Sequence, residues 1–456
     1  MSSNKIEIIR SKFKWIANGK DNVSATIQTI LVKIAILLTN LLTGILTARY
    51  LGSEGRGEQA AIILFPQLLA FSCSLGLFPA LIYYLKREPE KRSEIFSTAI
   101  FLATILGFVS MGIGLLFIPV WLSKYSQSVT TFAQMMMISS PFILVSVACN
   151  VALSASGNFS IGNKANYLIP FLTILGLSAL ILSNKISPYT SSMVYVFPTF
   201  PVAVWLIWNQ KEYIKIIPWK ILKKYLQKLL GYGVRSFGSD LLSMVSSQID
   251  QVLVVGLLSA TSMGQYSVAL SLSRMLEVVQ NSIATVLFPR IAACSAKEAG
   301  EVSGQAVRAM LVAIIPCAIL LASVGPTLLN LLYGREFLGA TNVFRILSVE
   351  IIISGITIIL IQSFLAVGRP EIVTFVQMIG LSISVPLLMW LVPQYNILGA
   401  GISLLISSTL RAIILLICYP VFLQVKSPNL IFTMRDVHFI MHRLRGNNAV
   451  EVQKAS

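Results

Sequence analysis

The sequence predicts an all-α polytopic membrane protein: about twelve transmembrane helices in two six-helix parallel-repeat lobes around a central cavity. Three observations carry this prediction. Only 12% of the 456 residues are charged and 55% are hydrophobic, against about 25% charged in a globular protein. Apolar runs long enough for about 30 Å of hydrocarbon recur along the whole chain. The basic residues between those runs crowd onto alternate connections. A soluble enzyme is excluded. So is a nucleic-acid binder, because the net charge of +17 is spread between apolar runs instead of clustering on a soluble basic face.

The elements follow in order. Residues 1–22 form a basic amphipathic tail. The N-lobe, 23–208, holds spans at 23–48, 59–85, 95–123, 131–156, 167–184 and 191–208. A connector at 209–232 mixes six lysines with Ile216, Trp219, Leu222, Tyr225 and Leu229, a pattern for a helix lying in the anionic interface. The C-lobe, 233–425, holds spans at 233–257, 265–290, 306–333, 341–366, 370–392 and 397–424, and 426–456 is a tail. With an even number of spans both termini share a side. That side carries 25 of the Lys and Arg residues against 6 opposite, so the termini and connector are expected in the cytoplasm. No secretory signal is recognisable at the N-terminus.

Two matches at nearly one offset indicate duplicated halves. Leu51–Gly57 aligns with Leu258–Gly264, and Ala155–Asn158 aligns with Ala366–Arg369. Six spans per half is an even number, so the repeats are parallel, as in transporters whose halves are related along the membrane normal.

Ionisable groups inside spans are costly and usually face an interior or a water-filled cavity. Here they are Lys33, Arg235, Asp240, Asp250, Arg274, Glu277, Glu350 and Arg411. Arg235, Ser239, Ser243, Ser246 and Asp250 step by three or four along one face of the seventh span. Lys33, Asn40, Thr43 and Thr47 share a face of the first span, which ends at Arg49, and Ser267, Ser271, Arg274, Glu277 and Asn281 line the eighth. These stripes nominate Lys33, Asn40, Arg49, Arg235, Ser243, Asp250, Arg274, Glu277 and Arg411 as cavity residues. The alternatives are close helix packing by the small polar residues, a neutralised pair at Arg274–Glu277, and an interfacial place for Arg49 and Arg56. No metal or cofactor is expected. The five cysteines are scattered, and His438 and His442 alone make a poor metal site.

Seven stretches, in order, carry a family resemblance: Thr47–Gly52 with Gly55 and Gly57, Gln248–Gly256, Met263–Ala269, Ala284–Ala292, Leu332–Phe337, Ala366–Pro370 and Ile397–Gly401. Together they resemble the polysaccharide-transporter branch of the multidrug/oligosaccharidyl-lipid/polysaccharide flippase superfamily, whose members flip O-antigen, capsule or exopolysaccharide repeat units. Gln251 stands where that pattern usually has a basic residue, and Ser53 where it often has Pro. The resemblance implies an alternating-access flippase, not an enzyme, in a bacterial inner (plasma) membrane. Its substrate would be an undecaprenyl-diphosphate-linked oligosaccharide, and a polysaccharide polymerase is a conceivable partner. A diphosphate in a low-dielectric cavity needs cations, which would fall to Lys33, Arg235 and Arg274; Asp250 is the coupling-ion candidate. A multidrug cation antiporter of the same fold is the alternative, and a membrane glycan polymerase or ligase a third.

Overall fold

The computed structural model describes residues 22–430 except Ala293, so the expected N-tail, both histidines and most of the C-tail lie outside the described residues. Among the described residues the regular elements are all helices. They run α1 (Asn22–Ser72), α2 (Leu77–Arg87), α3 (Arg92–Trp121), α4 (Gln127–Met136), α5 (Ser140–Ala155), α6 (Phe159–Leu182), α7 (Pro188–Val196) and α8 (Thr199–Asn209). Then come α9 (Trp219–Leu257), α10 (Ala260–Ser273), α11 (Glu277–Ile291), α12 (Ala296–Leu328), α13 (Thr341–Ala366) and α14 (Pro370–Cys418).

Nine helical stretches among the described residues are long and apolar enough to cross a membrane. Local chain chemistry relates these nine to the twelve expected spans. α1 merges the first span with much of the second, and α14 merges the last two. Each contains one break, at Gly52 (φ 68°) and Asn396 (φ 56°). Glycine has no Cβ, and asparagine tolerates left-handed backbone, so both can turn the chain there. In α14 the two halves fold back on each other, with Ser407 Oγ donating to the Gly380 carbonyl at 3.0 Å. The eighth expected span is cut by a 3-10 turn at Arg274–Leu276, leaving α10 and α11 each shorter than a full crossing.

One of the matched sequence pairs has a matched conformation. Gly157 and Gly368 both take left-handed backbone, at φ 73° and 74°. Asn158 N–H donates to Leu153 O at 2.9 Å and Arg369 N–H to Phe364 O at 2.8 Å. These are the six-to-one bonds of Schellman caps, which satisfy carbonyls orphaned at a helix end. α5 and α13 thus stop in the same way, 211 residues apart.

The chain clusters into two compact units that divide at Ser267/Val268, within α10. In the first, Leu81, Phe96, Leu144 and Cys149 of α2, α3 and α5 form a fully buried core. In the second, α12, α13 and α14 pack Met310, Ile314, Phe364 and Val376, with Tyr419 against Phe364 at 4.8 Å. The Ser363 and Ser303 hydroxyls bond at 2.6 Å inside that core. Leu116 and Leu182 are 79% and 86% exposed, as expected where a helix meets lipid tails that are as apolar as leucine itself.

The connector differs in detail from a simple interfacial helix. A 3-10 turn at Lys211–Tyr213 and a non-helical stretch lead into α9, which runs unbroken through the expected start of the seventh span. Trp219 and Ile216 are exposed, but Tyr225 and Leu229 sit in the first unit's core. Lys228 ties this helix down by donating to Glu88 Oε1 at 2.5 Å, while Tyr225 OH donates to Oε2 at 3.3 Å. The Lys228 hydrogen bond holds the Glu88 carboxyl below the ordinary glutamate value. A depressed carboxylate stabilises the fold above its unfolded pKa and loses that contribution as pH falls through its folded one. Glu88→Gln should therefore lower thermal stability at pH 7 and flatten its decline below about pH 4.5, which unfolding in detergent across pH 3–7 will measure.

Candidate substrate-handling groups

The first span's polar face resolves into two kinds of residue. Thr43 and Thr47 are buried and return their hydroxyls to their own helix, Thr43 to Asn40 O at 3.0 Å and Thr47 to Thr43 O at 2.8 Å. Both hydroxyls are thus satisfied within their own helix. Asn40 and Arg49 are exposed. The backbone of Lys33 lies in α1, and its side chain lies outside the described residues.

The α9 stripe divides in the same way. Arg235 and Ser243 are exposed, whereas Asp250 is buried and accepts a 2.6 Å hydrogen bond from Tyr266 OH. Periodicity finds Asp250, but it cannot find a partner sixteen residues away on the next helix. A buried acceptor that loses its donor costs about 1–3 kcal/mol. Tyr266→Phe should lower the melting temperature of the purified protein by several degrees, and Asp250→Asn, which can still accept from Tyr266, by less.

Arg56, expected at the interface with Arg49, is instead buried at 8% exposure. Its Nη1 donates to Gln59 Oε1 at 2.5 Å, and its Nε has no partner among the described residues. Chain order explains the difference, because α1 continues past Gly52 and carries Arg56 back into the first unit.

In the second unit Arg274 Nε and Glu277 Oε1 lie 3.6 Å apart, both a little over one third exposed. That is the neutralised i,i+3 pair that the spacing allowed. Arg411 forms a second, deeper assembly. Its Nη2 donates to Ser408 Oγ at 3.2 Å, and Ser408 donates to Glu350 Oε1 at 2.5 Å. Gly380 makes room, since a Cβ there would stand 2.7 Å from Arg411 Cγ. Ser408 precedes Arg411 by three residues on the same helix, but spacing does not show its bridge to Glu350: the hydroxyl accepts from the guanidinium and donates to the carboxylate at once. The set is part-buried, with Ser408 itself buried and both charged residues half-buried. The structure therefore joins Arg274 to Glu277, Arg411 to Glu350 and Asp250 to Tyr266, and leaves Arg235 and Ser243 on the surface of their unit. Among the described residues no group of three or more His, Cys, Asp or Glu could hold a metal.

Against known proteins, residues 46–342 match the family described as polysaccharide biosynthesis protein. An uncharacterized membrane protein of Methanocaldococcus jannaschii is 24% identical over 75% of this chain and 73% of its own. A probable low-salt glycan biosynthesis flippase of Haloferax volcanii is 21% identical over 42% of this chain and 41% of its own. A putative O-antigen transporter of Shigella flexneri is 22% identical over 44% and 49%. Among solved structures, the inward closed lipid II flippase superposes with a TM-score of 0.73 at 15% identity, covering 92% of this chain and 94% of that one. An inward-facing multidrug transporter superposes at 0.69 and 12% identity, over 87% and 98%. The two solved structures share the fold with this chain.

Proposed function

The chain belongs to the polysaccharide biosynthesis protein family, and from that membership we propose that it is a flippase for a lipid-linked oligosaccharide. It carries an undecaprenyl-diphosphate-linked repeat unit from the cytoplasmic to the outer leaflet of the plasma membrane by alternating access, with both termini in the cytoplasm. The observation that carries this reading is the family match across 46–342. The basic residues support the orientation, with 25 on the side of the termini against 6 opposite. The duplicated halves support two lobes that rock about a central site, and the matched Schellman caps agree with the duplication.

In this mechanism the polyprenyl tail stays in the bilayer while the charged head enters a cavity of low dielectric. Lys33, Arg235 and Arg274 offset the diphosphate charge by charge-assisted hydrogen bonds, and Ser243 and Asn40 meet sugar hydroxyls. No covalent bond changes, so no acid, base or nucleophile is required. Asp250 is the candidate for a coupling ion. In the present conformation its carboxylate is closed off by Tyr266, so loading it requires that hydrogen bond to open. A polysaccharide polymerase would take the product on the far side.

The shared fold favours one second reading, a multidrug cation antiporter. The two separate in cells depleted of the protein. Accumulation of lipid-linked sugar with unchanged drug tolerance supports the flippase, and drug hypersensitivity without accumulation supports the antiporter.

A further inference from the structure

A groove in the first unit uses residues that the transport reading leaves unassigned. It has a volume of about 640 Å³ and is lined by Pro79, Ile82, Tyr83, Lys86, Arg87 and Tyr232. It lies where α2 and the start of α9 cross, on the side the charge bias assigns to the cytoplasm. Two glycines permit that crossing. A Cβ on Gly233 would stand 2.5 Å from Leu75 O, and one on Gly76 3.0 Å from Gly233 Cα.

The crossing stacks the Tyr83 and Tyr232 rings with centroids 4.5 Å apart and planes at 19°, and Tyr84 meets both edge-on at 5.1 and 6.1 Å. Arg87 lies over Tyr83, its guanidinium carbon 5.5 Å from the ring centroid, and its Nη1 donates to the Tyr83 hydroxyl. The six lining residues thus include two cations and no acid. The neighbouring acid, Glu88, is engaged by Lys228 and Tyr225, so Lys86 and Arg87 present positive charge at the rim. Tyrosines and basic residues scattered along an interface are ordinary anchors. Here the aromatics are paired into one wall of an open groove, with the cations beside it.

We infer that this groove binds the sugar-diphosphate head of a polyprenyl lipid in the cytoplasmic leaflet, before transport. Lys86 and Arg87 hold the phosphates by charge-assisted hydrogen bonds, with the Arg87 fork already oriented by Tyr83. The Tyr232 face turned away from Tyr83 receives the apolar C–H face of the first sugar ring, and its hydroxyl the polar edge. A bilayer phospholipid shares the phosphate but brings no ring for the aromatic wall. This site rests on the flippase reading and gives it a cytoplasmic recognition step.

The test uses full-length protein in phosphatidylethanolamine vesicles, with tritiated geranyl-diphosphate N-acetylglucosamine as probe. Lys86→Ala/Arg87→Ala should weaken probe binding at least about tenfold. Tyr232→Leu, which leaves the Tyr83–Arg87 hydrogen bond in place, should weaken it several-fold while leaving sugar-free geranyl diphosphate unchanged, and Tyr232→Phe should retain most of the affinity. Unchanged binding in the charge variant overturns the inference. So does equal competition by short-chain phosphatidylglycerol, which would make the groove a contact for bilayer lipid. Flipping in the same vesicles separates the two readings: transport with groove-independent binding overturns the groove alone, and groove-dependent binding without transport overturns the flippase alone.

Discussion

Alanine at Lys33, Arg235 and Arg274 together abolishes transport of a diphosphate-linked sugar lipid while the protein remains in the membrane at its normal abundance. The two halves of that result have separate physical grounds. Arg235 is exposed on α9, and the Arg274–Glu277 pair is more than one third exposed, so removing either group costs the fold about 1 kcal/mol or less. A hydrogen bond to a charged group is worth about 1.5–3 kcal/mol, so losing two or three to a diphosphate lowers transport by about a thousandfold or more. Initial rates in proteoliposomes, normalised to protein incorporated, provide the check. Full activity in the triple variant contradicts the role given to these cations. Full activity in Arg274→Ala alone assigns Arg274 to its ion pair with Glu277 and leaves the other two in place.

The second large effect concerns the fold. Gly57→Val and Gly264→Val each strongly reduce the yield of folded protein and lower its melting temperature. These glycines are partners in the sequence repeat, and they are also partners in space. A Cβ on Gly57 would collide with the Ala260 carbonyl and stand 2.9 Å from Gly264 N, and one on Gly264 would collide with the Ser53 carbonyl and stand 3.0 Å from Gly57 N. Residues 53 and 57 thus meet 260 and 264 reciprocally, the pattern of a local two-fold axis. Backbone cannot step aside as a side-chain tip can, so the cost is about 3 kcal/mol or more. Gly44→Ala and Gly112→Ala are the controls, because an added Cβ meets nothing within 4 Å at either. They should be neutral or slightly stabilising, since alanine favours the helix. Equal melting temperatures for Gly57→Val and Gly112→Ala would show that the close approach contributes nothing.

What the sequence reveals depends on how local the cause is. Helices follow from long apolar runs, and the Arg274–Glu277 pair follows from its spacing, since both are set within a turn or two. The matched stretches at Ala155–Asn158 and Ala366–Arg369 also share a local cause, a left-handed glycine cap at Gly157 and Gly368. Periodicity cannot show that α1 and α14 run on through Gly52 and Asn396, because a left-handed residue turns the chain without a loop. Partnerships across helices are equally hidden. Asp250 with Tyr266, Glu350 with Arg411 through Ser408, and Tyr83 with Tyr232 all depend on tertiary packing. The burial of Arg56 has the same origin, since the fold of α1 past Gly52 decides which side of the helix meets protein. The sequence therefore names the polar and charged residues within the spans but does not sort those on the surface of their unit from those paired with a neighbouring helix.

The central claim, that this chain moves a lipid-linked oligosaccharide between leaflets, is tested most directly in sealed proteoliposomes. They would carry a labelled undecaprenyl-diphosphate oligosaccharide in one leaflet, with a membrane-impermeant glycosidase or lectin reporting its arrival in the other. The account predicts protein-dependent exposure of the label at a rate that Lys33→Ala/Arg235→Ala/Arg274→Ala reduces to the protein-free background. Label confined to its original leaflet in the presence of folded wild-type protein, under both a proton and a sodium gradient, would contradict it.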